Sequence, residues 1–403
     1  MDLIIVNTTT ELLAISIVVA IIARRIHLPY TVGLVATGVC ITLFRFKTGT
    51  ILTHDLIFDV ILPPLLFEAA ISIHWFELRR DVLLILTLAI FGVIISAVVV
   101  ASGIARGLGW PLPSALIFGV VIAATDPVSV IALFKDTGVT GRLRLLAESE
   151  SLLNDGVAAV LFALALAWTQ ATGEATTPMH VAQALIFTTG GGILAGLACG
   201  GIAIAVAGRT SDHLVETALT MVAAYSSFLL AEHFGVSGVL ATVTTGLFMG
   251  NLGVLNDRDL GPLSSRGRDF VIAFWEFAAF IANSLIFLLI GLTVADIPFS
   301  GVGPLSLAII IALVLIGRAL TVYPLCLLFT WSRWAVPLPE QHVLWWGGLR
   351  GALCLALALV LPPSLEFRNE IVIAAFGVVT FSVVVEGLTM PPLLKRLGFL
   401  KAK

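Results

Sequence analysis

Residues 150–168 read Glu-Ser-Leu-Leu-Asn-Asp-Gly-Val-Ala-Ala-Val-Leu-Phe-Ala-Leu-Ala-Leu-Ala-Trp. From Val157 to Trp168 nothing is polar, yet the run opens with two carboxylates, a hydroxyl and an amide. Ionisable groups are costly inside a bilayer, so those that stay there usually mark a pathway for ions or protons. Outward from this stretch the whole chain is apolar: of 403 residues 59% are hydrophobic and 12% charged, against about 25% charge in an ordinary globular domain. That composition excludes a large soluble core. It predicts an all-α polytopic membrane protein.

Apolar runs between polar or Pro/Gly breaks give thirteen spans, near 10–23, 30–44, 51–73, 82–104, 112–134, 145–168, 180–207, 214–232, 235–250, 268–292, 302–330, 340–361 and 370–393. Basic residues test this count, because Lys and Arg accumulate in cytoplasmic loops. Loops after odd-numbered spans hold sixteen of the 22 basic residues, and loops after even-numbered spans hold Arg45, Lys47, Arg106 and Arg368. The remaining two, Arg318 and Arg350, fall inside spans. The N-terminus is therefore expected outside and the C-terminus in the cytoplasm. No cleavable signal peptide is expected, since Leu12 to Ala23 leads into Arg24-Arg25 and not a small-residue cleavage site. Cys40, Cys199, Cys326 and Cys354 all lie in apolar runs and read as small buried hydrophobes, with no disulfide framework or metal spacing. The net charge of −3 says little about partners.

Two spans are interrupted. The fifth carries Thr125-Asp126-Pro127, where Pro127 removes a backbone donor and disfavours helix at the residue before it. The twelfth carries Gly347-Gly348-Leu349-Arg350-Gly351. They are seven spans apart, an odd number, so they cross the membrane in opposite directions. That is the pattern of inverted-topology repeats with paired broken helices at the ion site. Residues from about 10 to 170 and from about 214 to 393 would be the repeats, and 180–207 the linking helix. All of it forms one transmembrane transporter domain.

In the sixth span Ser151 and Asp155 share one helix face and Glu150 and Asn154 the neighbouring one, each pair four residues apart. A hydroxyl and a carboxylate facing the same way suit a hard cation, which takes oxygen ligands. A low-dielectric interior penalises the charged form of a carboxyl group. A proton or a cation neutralises it, and competition between them for Asp155 is enough for exchange. The alternative is a structural acid hydrogen-bonded to its neighbours. Unwinding at the fifth span frees carbonyls such as that of Thr125, and Asp126 is placed to cap the half-helix beginning at Pro127. A kink with a cap and no ligand role is the plainer reading.

Glu68, after Pro63-Pro64 in the third span, is deep enough to need a partner and is expected behind Asp155, reached through water. Asp59 falls on the opposite face, and Glu148 reads as a solvated end charge. Arg318 is expected to pair with Glu150, which leaves Asp155 free to exchange. Arg350 sits among half-helix ends, whose dipoles a fixed positive charge balances. Gly192, Gly196 and Gly200 form a small-residue ridge suited to a dimer interface or to interior packing. The sequon Asn7-Thr8-Thr9 and the seven histidines carry no specific signal.

Together, Ala124-Thr125-Asp126-Pro127-Val128 and Glu150-Ser151-Leu152-Leu153-Asn154-Asp155 resemble the signature helices of sodium/proton antiporters of the bacterial NhaP and animal NHE type. Pro63-Pro64 with Glu68, Phe274-Trp275-Glu276 through Asn283-Ser284-Leu285-Ile286-Phe287, Gly317-Arg318-Ala319 and Gly347-Gly348-Leu349-Arg350-Gly351-Ala352 extend the resemblance along nearly the whole chain. It implies a thirteen-span homodimer in a bacterial or archaeal plasma membrane, serving pH homeostasis, with a mobile core moving against a dimerisation part. It implies Asp155 as cation and proton carrier, a Na+ site completed by Thr125, Asp126 and Ser151, and Glu68 nearby through water. Arg318 would hold Glu150, Arg350 would steady the crossed helices, and Asn154 in place of a second Asp implies electroneutral one-for-one exchange. No cofactor, nucleic acid or enzymatic step is implied, and partners reduce to membrane lipids and a second copy. Animal exchangers add a long cytoplasmic tail, whereas here Lys403 follows soon after the last span, so no tail-bound regulator is expected.

Other readings fit less well. A passive channel wants a ring of like sites, an organic-anion transporter wants arginines at its breaks, and an intramembrane enzyme wants a nucleophile–base pair or metal-ligand spacing. K+/H+ exchange within the same family is the nearest rival.

Overall fold

The computed structural model describes the chain except residues 1, 27, 45–54, 127–129, 132–133, 135–136, 171–177, 256–261, 297–300 and 401–403. Pro127, His27 and His54 therefore lie outside the described residues, as do the side chains of the sequon Asn7-Thr8-Thr9 and of His180. Among the described residues the secondary structure is helical, with no β-strand. The helices are α1 Asp2–Ile26, α2 Tyr30–Leu43, α3 Leu62–Ile71, α4 Trp75–Gly107, α5 Leu112–Ala123, α6 Arg142–Gln170, α7 Pro178–Ala207 and α8 His213–His233. They continue with α9 Gly238–Met249, α10 Ser265–Asp296, α11 Pro304–Leu328, α12 Leu338–Trp346, α13 Ala352–Leu359, α14 Arg368–Phe381 and α15 Gly387–Arg396. Every expected span carries helix. Among the described residues, seven helices are long and apolar enough to cross a membrane, with four shorter apolar helices beside them.

Local chemistry explains where helices begin and widen. Asp212 accepts from Leu214 N at 2.9 Å and Ser237 from Leu240 N at 3.2 Å, capping α8 and α9 at donors that have no partner within the helix. Leu56–Ile61 forms a π-helical turn leading into α3, where Pro63 and Pro64 withdraw the donors that would reach back to Asp59 and Val60. The freed carbonyl of Val60 accepts from the Tyr225 hydroxyl at 3.1 Å. Two further π-helical turns follow among the described residues, Gly250–Val254 at the end of α9 and Ser382–Glu386 joining α14 to α15.

The glycine ridge of α7 packs inward. A Cβ at Gly192 would meet the Ser237 carbonyl at 2.7 Å, and the Gly196 carbonyl accepts from Thr245 Oγ1 of α9 at 3.0 Å. Of the two readings of this ridge, close packing between helices is the one present. The opposite face of α7 exposes Ile186, Leu194 and Ile202, as a helix face against lipid would.

The cysteines divide. Cys326 and Cys354 are buried, Cys199 is half-buried, and Cys40 is exposed on the apolar face of α2, so the expectation that all four are buried is corrected. Side chains on a lipid-facing helix surface are as apolar as those in the core, so hydropathy does not separate the two places.

Both interrupted spans are unwound. The helix α5 ends at Ala124, whose φ of −58° and ψ of 138° are non-helical. The stretch Gly348–Gly351 between α12 and α13 is non-helical as well. They meet directly: Asp126 N donates to Leu349 O at 2.7 Å.

Candidate functional site

Where the two unwound segments meet, each polar backbone group needs a partner, because water is scarce in the interior. Side chains of α6 supply them to the fifth span. Asn154 Oδ1 accepts from Thr125 N at 3.1 Å, and its Nδ2 donates to Thr125 Oγ1 at 2.6 Å and to Glu150 Oε1 at 3.2 Å. Thr125 Oγ1 also shares a hydrogen bond with Ser151 Oγ at 2.7 Å. The α6 stretch thus brackets Thr125 from two successive turns. Asn154 uses its carbonyl and its amide together, which no carboxylate can do.

The charges sort themselves by geometry. Arg318 Nη1 and Nη2 donate to Glu150 Oε1 and Oε2 at 2.7 and 2.8 Å, and Nη2 also reaches Leu344 O at 3.0 Å. This fork is the strong two-bond arrangement of guanidinium with carboxylate. Both partners are buried, so each is the other's principal compensation.

Asp155 has no such partner. It is 3% exposed, and its Oδ1 makes no hydrogen bond among the described residues. Asp155 lines a cavity of about 20 Å³ with Thr125, Asp126, Gly351, Cys354 and apolar residues from α3 and the breaks. That volume admits one occupant of about water size. Gly351 has to be a glycine here, since a Cβ would lie 2.5–2.6 Å from the Asp126 carboxylate. Cys354 donates its thiol to Ala124 O at 3.3 Å, which satisfies a carbonyl freed by unwinding.

Other expected residues sit as follows. Ser151 is not part of the lining and is hydrogen-bonded to Thr125, which is. Glu68 is buried, one helical turn from the cavity-lining Leu65, and is not itself part of the lining. Asp59 is exposed. Arg350 is 2% exposed, and its Nη1 donates to Gly348 O at 2.8 Å. Glu148 corrects an expectation: it is buried and pairs with Arg144 Nε at 2.5 Å. Their spacing of four residues on one helix face favours that pair over solvation.

Two polar clusters have no counterpart among the residues singled out in the sequence. Ser382 and Glu386 of the π-helical turn are buried and hydrogen-bonded to each other, at the same four-residue spacing that draws attention to Ser151 and Asp155. Arg142, at the start of α6, makes a forked pair with Asp81 of α4 (Nη2 to Oδ1 2.7 Å) and donates from Nη1 to Ala335 O at 2.8 Å. It ties α4, α6 and the approach to α12 together at one end.

A bundle of apolar helices with two unwound segments crossing beside a buried carboxylate, one oxygen of which has no hydrogen bond among the described residues, has the build of a secondary ion transporter. The match to known proteins narrows that class. The family model described as "Sodium/hydrogen exchanger, transmembrane" matches residues 12–396, and the chain belongs to that family. It is 42% identical over 379 residues to the Na+/H+ antiporter ApNhaP of Aphanothece halophytica, covering 93% of this chain and 70% of that one. It is 34% identical over 403 residues to the Na+/H+ antiporter NhaH of Halobacillus dabanensis, covering 96% and 97%. The sodium proton antiporter MjNhaP1 of Methanocaldococcus jannaschii shares the fold, with a TM-score of 0.78 at 22% identity over the full length of both chains. The chain is accordingly a multi-pass integral membrane protein.

Proposed function

We propose that this chain exchanges Na+ or Li+ for H+ across a prokaryotic plasma membrane, with Asp155 carrying the cation and the proton in turn. The observation that carries the reading is the Asp155 carboxylate, buried beside Asp126 and Thr125 with an oxygen that has no hydrogen-bond partner among the described residues. A charge there is disfavoured until something positive arrives. Na+ and H+ both neutralise it, and one excludes the other. Thr125 and Asp126 stand in the same cavity as further oxygen donors, with Ser151 holding Thr125. Of the two buried arginines among the described residues, Arg318 is engaged by Glu150 and Arg350 donates to the Gly348 carbonyl, which leaves the Asp155 carboxylate for a cation.

Electroneutral one-for-one exchange requires that Asp155 alone trade its proton for the cation: Asn154 contributes no charge, Glu150 is held by Arg318, and Asp126 keeps one charge state throughout. Thirteen spans, an outside N-terminus and a cytoplasmic C-terminus belong to the same proposal, supported by the basic-residue asymmetry. Inverted repeats at about 10–170 and 214–393, linked by 180–207, are supported by two opposed breaks meeting at Asp126 and Leu349. In the mechanism, the unit that holds the crossed breaks moves relative to a second, dimer-forming unit and exposes Asp155 to each side alternately. The relatives named as Na+/H+ antiporters favour Na+ over K+. In proteoliposomes clamped at zero voltage, Na+ or Li+ should dissipate an imposed pH gradient and K+ should not. A sodium-driven flux that scaled with an imposed voltage would contradict electroneutrality, and dissipation by K+ alone would contradict the choice of cation.

A further inference from the structure

The peptide unit between Leu349 and Arg350 is held from both sides. Its carbonyl, on Leu349, accepts from Asp126 N at 2.7 Å. Its N–H, on Arg350, donates to Ser382 Oγ at 2.9 Å. The Ser382 hydroxyl in turn donates to Glu386 Oε2, so its lone pair is left facing Arg350. All four residues that build this relay beyond Asp126 lie in the interior. A π-helical turn, a frequent mark of functional sites, carries both Ser382 and Glu386.

Charge closes the arrangement. Glu386, Ser382, Arg350, Arg318 and Gly348 line one small cavity. Arg318 is matched by Glu150, whereas the Arg350 guanidinium donates to the Gly348 carbonyl. Glu386 is the carboxylate that lines that cavity with the second arginine, and an unbalanced buried charge is strongly destabilising. None of these groups faces the cation cavity, which is lined instead by Asp126, Asp155 and Gly351.

We propose that Ser382 and Glu386 are positioning residues for cation binding. They orient the Leu349–Arg350 peptide, and through it they set where Asp126 stands in the cavity beside Asp155. The inference rests on the reading of Asp126 and Asp155 as the cation site. It gives the last span a part in the chemistry that its sequence alone does not suggest.

The test uses the full-length protein in proteoliposomes, with Na+-induced thermal stabilisation of the purified protein as a second readout. Ser382→Ala removes the acceptor for Arg350 N and should raise the apparent KM for Na+ about fivefold, the effect of losing one buried hydrogen bond, with maximal rate per folded molecule nearly unchanged. Ser382→Thr keeps the hydroxyl and should restore the wild-type KM. Glu386→Gln keeps the shape and loses the charge; it should also raise KM, and it gives an independent reading if Ser382→Ala does not fold. In an Asp126→Asn background, Ser382→Ala should cause no further loss of Na+-induced stabilisation, since coupled residues are non-additive. A wild-type KM in folded Ser382→Ala or Glu386→Gln, or fully additive losses with Asp126→Asn, would overturn the inference while leaving the exchange function intact. Absence of Na+-driven exchange in the wild type would overturn the function itself.

Discussion

Asp155 and Asn154 are neighbours with opposite duties. The carboxylate keeps one oxygen without a hydrogen bond among the described residues, while the amide commits both ends to Thr125 and one further bond to Glu150. Asp155→Asn should fold and abolish Na+-driven proton flux, because the amide binds neither proton nor cation strongly; flux measured in proteoliposomes checks it. Asn154→Asp should cost about 1–3 kcal/mol of stability, since a carboxylate cannot donate to Thr125 and would face Glu150 across the 3.2 Å that now separates amide from acid. Thermal unfolding in detergent measures that loss. These residues were legible in the sequence because ionisable and amide groups stand out against an apolar run. Ser382 and Glu386 were not, because an acid near the end of the last span looks like an ordinary boundary charge until its burial is known.

Between elements, the structure depends on a few polar ties. Breaking the Glu150–Arg318 fork on one side, as in Glu150→Gln, leaves a buried guanidinium uncompensated and should cost about 3–5 kcal/mol. The double variant Glu150→Gln with Arg318→Gln should lose less, and comparing the melting temperatures of the two tests the pairing. Gly351→Ala drives a Cβ into the Asp126 carboxylate and should weaken Na+-induced thermal stabilisation more than it lowers the melting temperature of the Na+-free protein. The breaks themselves could be read from Thr125-Asp126-Pro127 and from the glycines flanking Arg350. The π-helical turns could not, because one extra residue in a turn leaves an apolar run looking the same. Nor could the peptide that joins the two breaks, since backbone pairing between distant segments leaves no mark on composition.

Across the whole molecule, hydropathy located the helices and left their faces undetermined. Leu194 and Ile202 point outward while Leu240 and Ala241 pack inward, and nothing in their chemistry tells lipid from core. The asymmetry of basic residues constrains orientation more firmly. In a cysteine-free background, a cysteine at Gly107 should react with an impermeant thiol reagent added outside intact cells, and one at Gly208 should react only after permeabilisation.

The central claim is that one carboxylate binds a sodium ion or a proton but not both. Adding Na+ to the purified protein in weak buffer should therefore release protons, about one for each Na+ bound, by mass action at a shared site. Asp155→Asn should release none. Sodium binding without proton release in the wild type, or equal release from Asp155→Asn, would contradict the account.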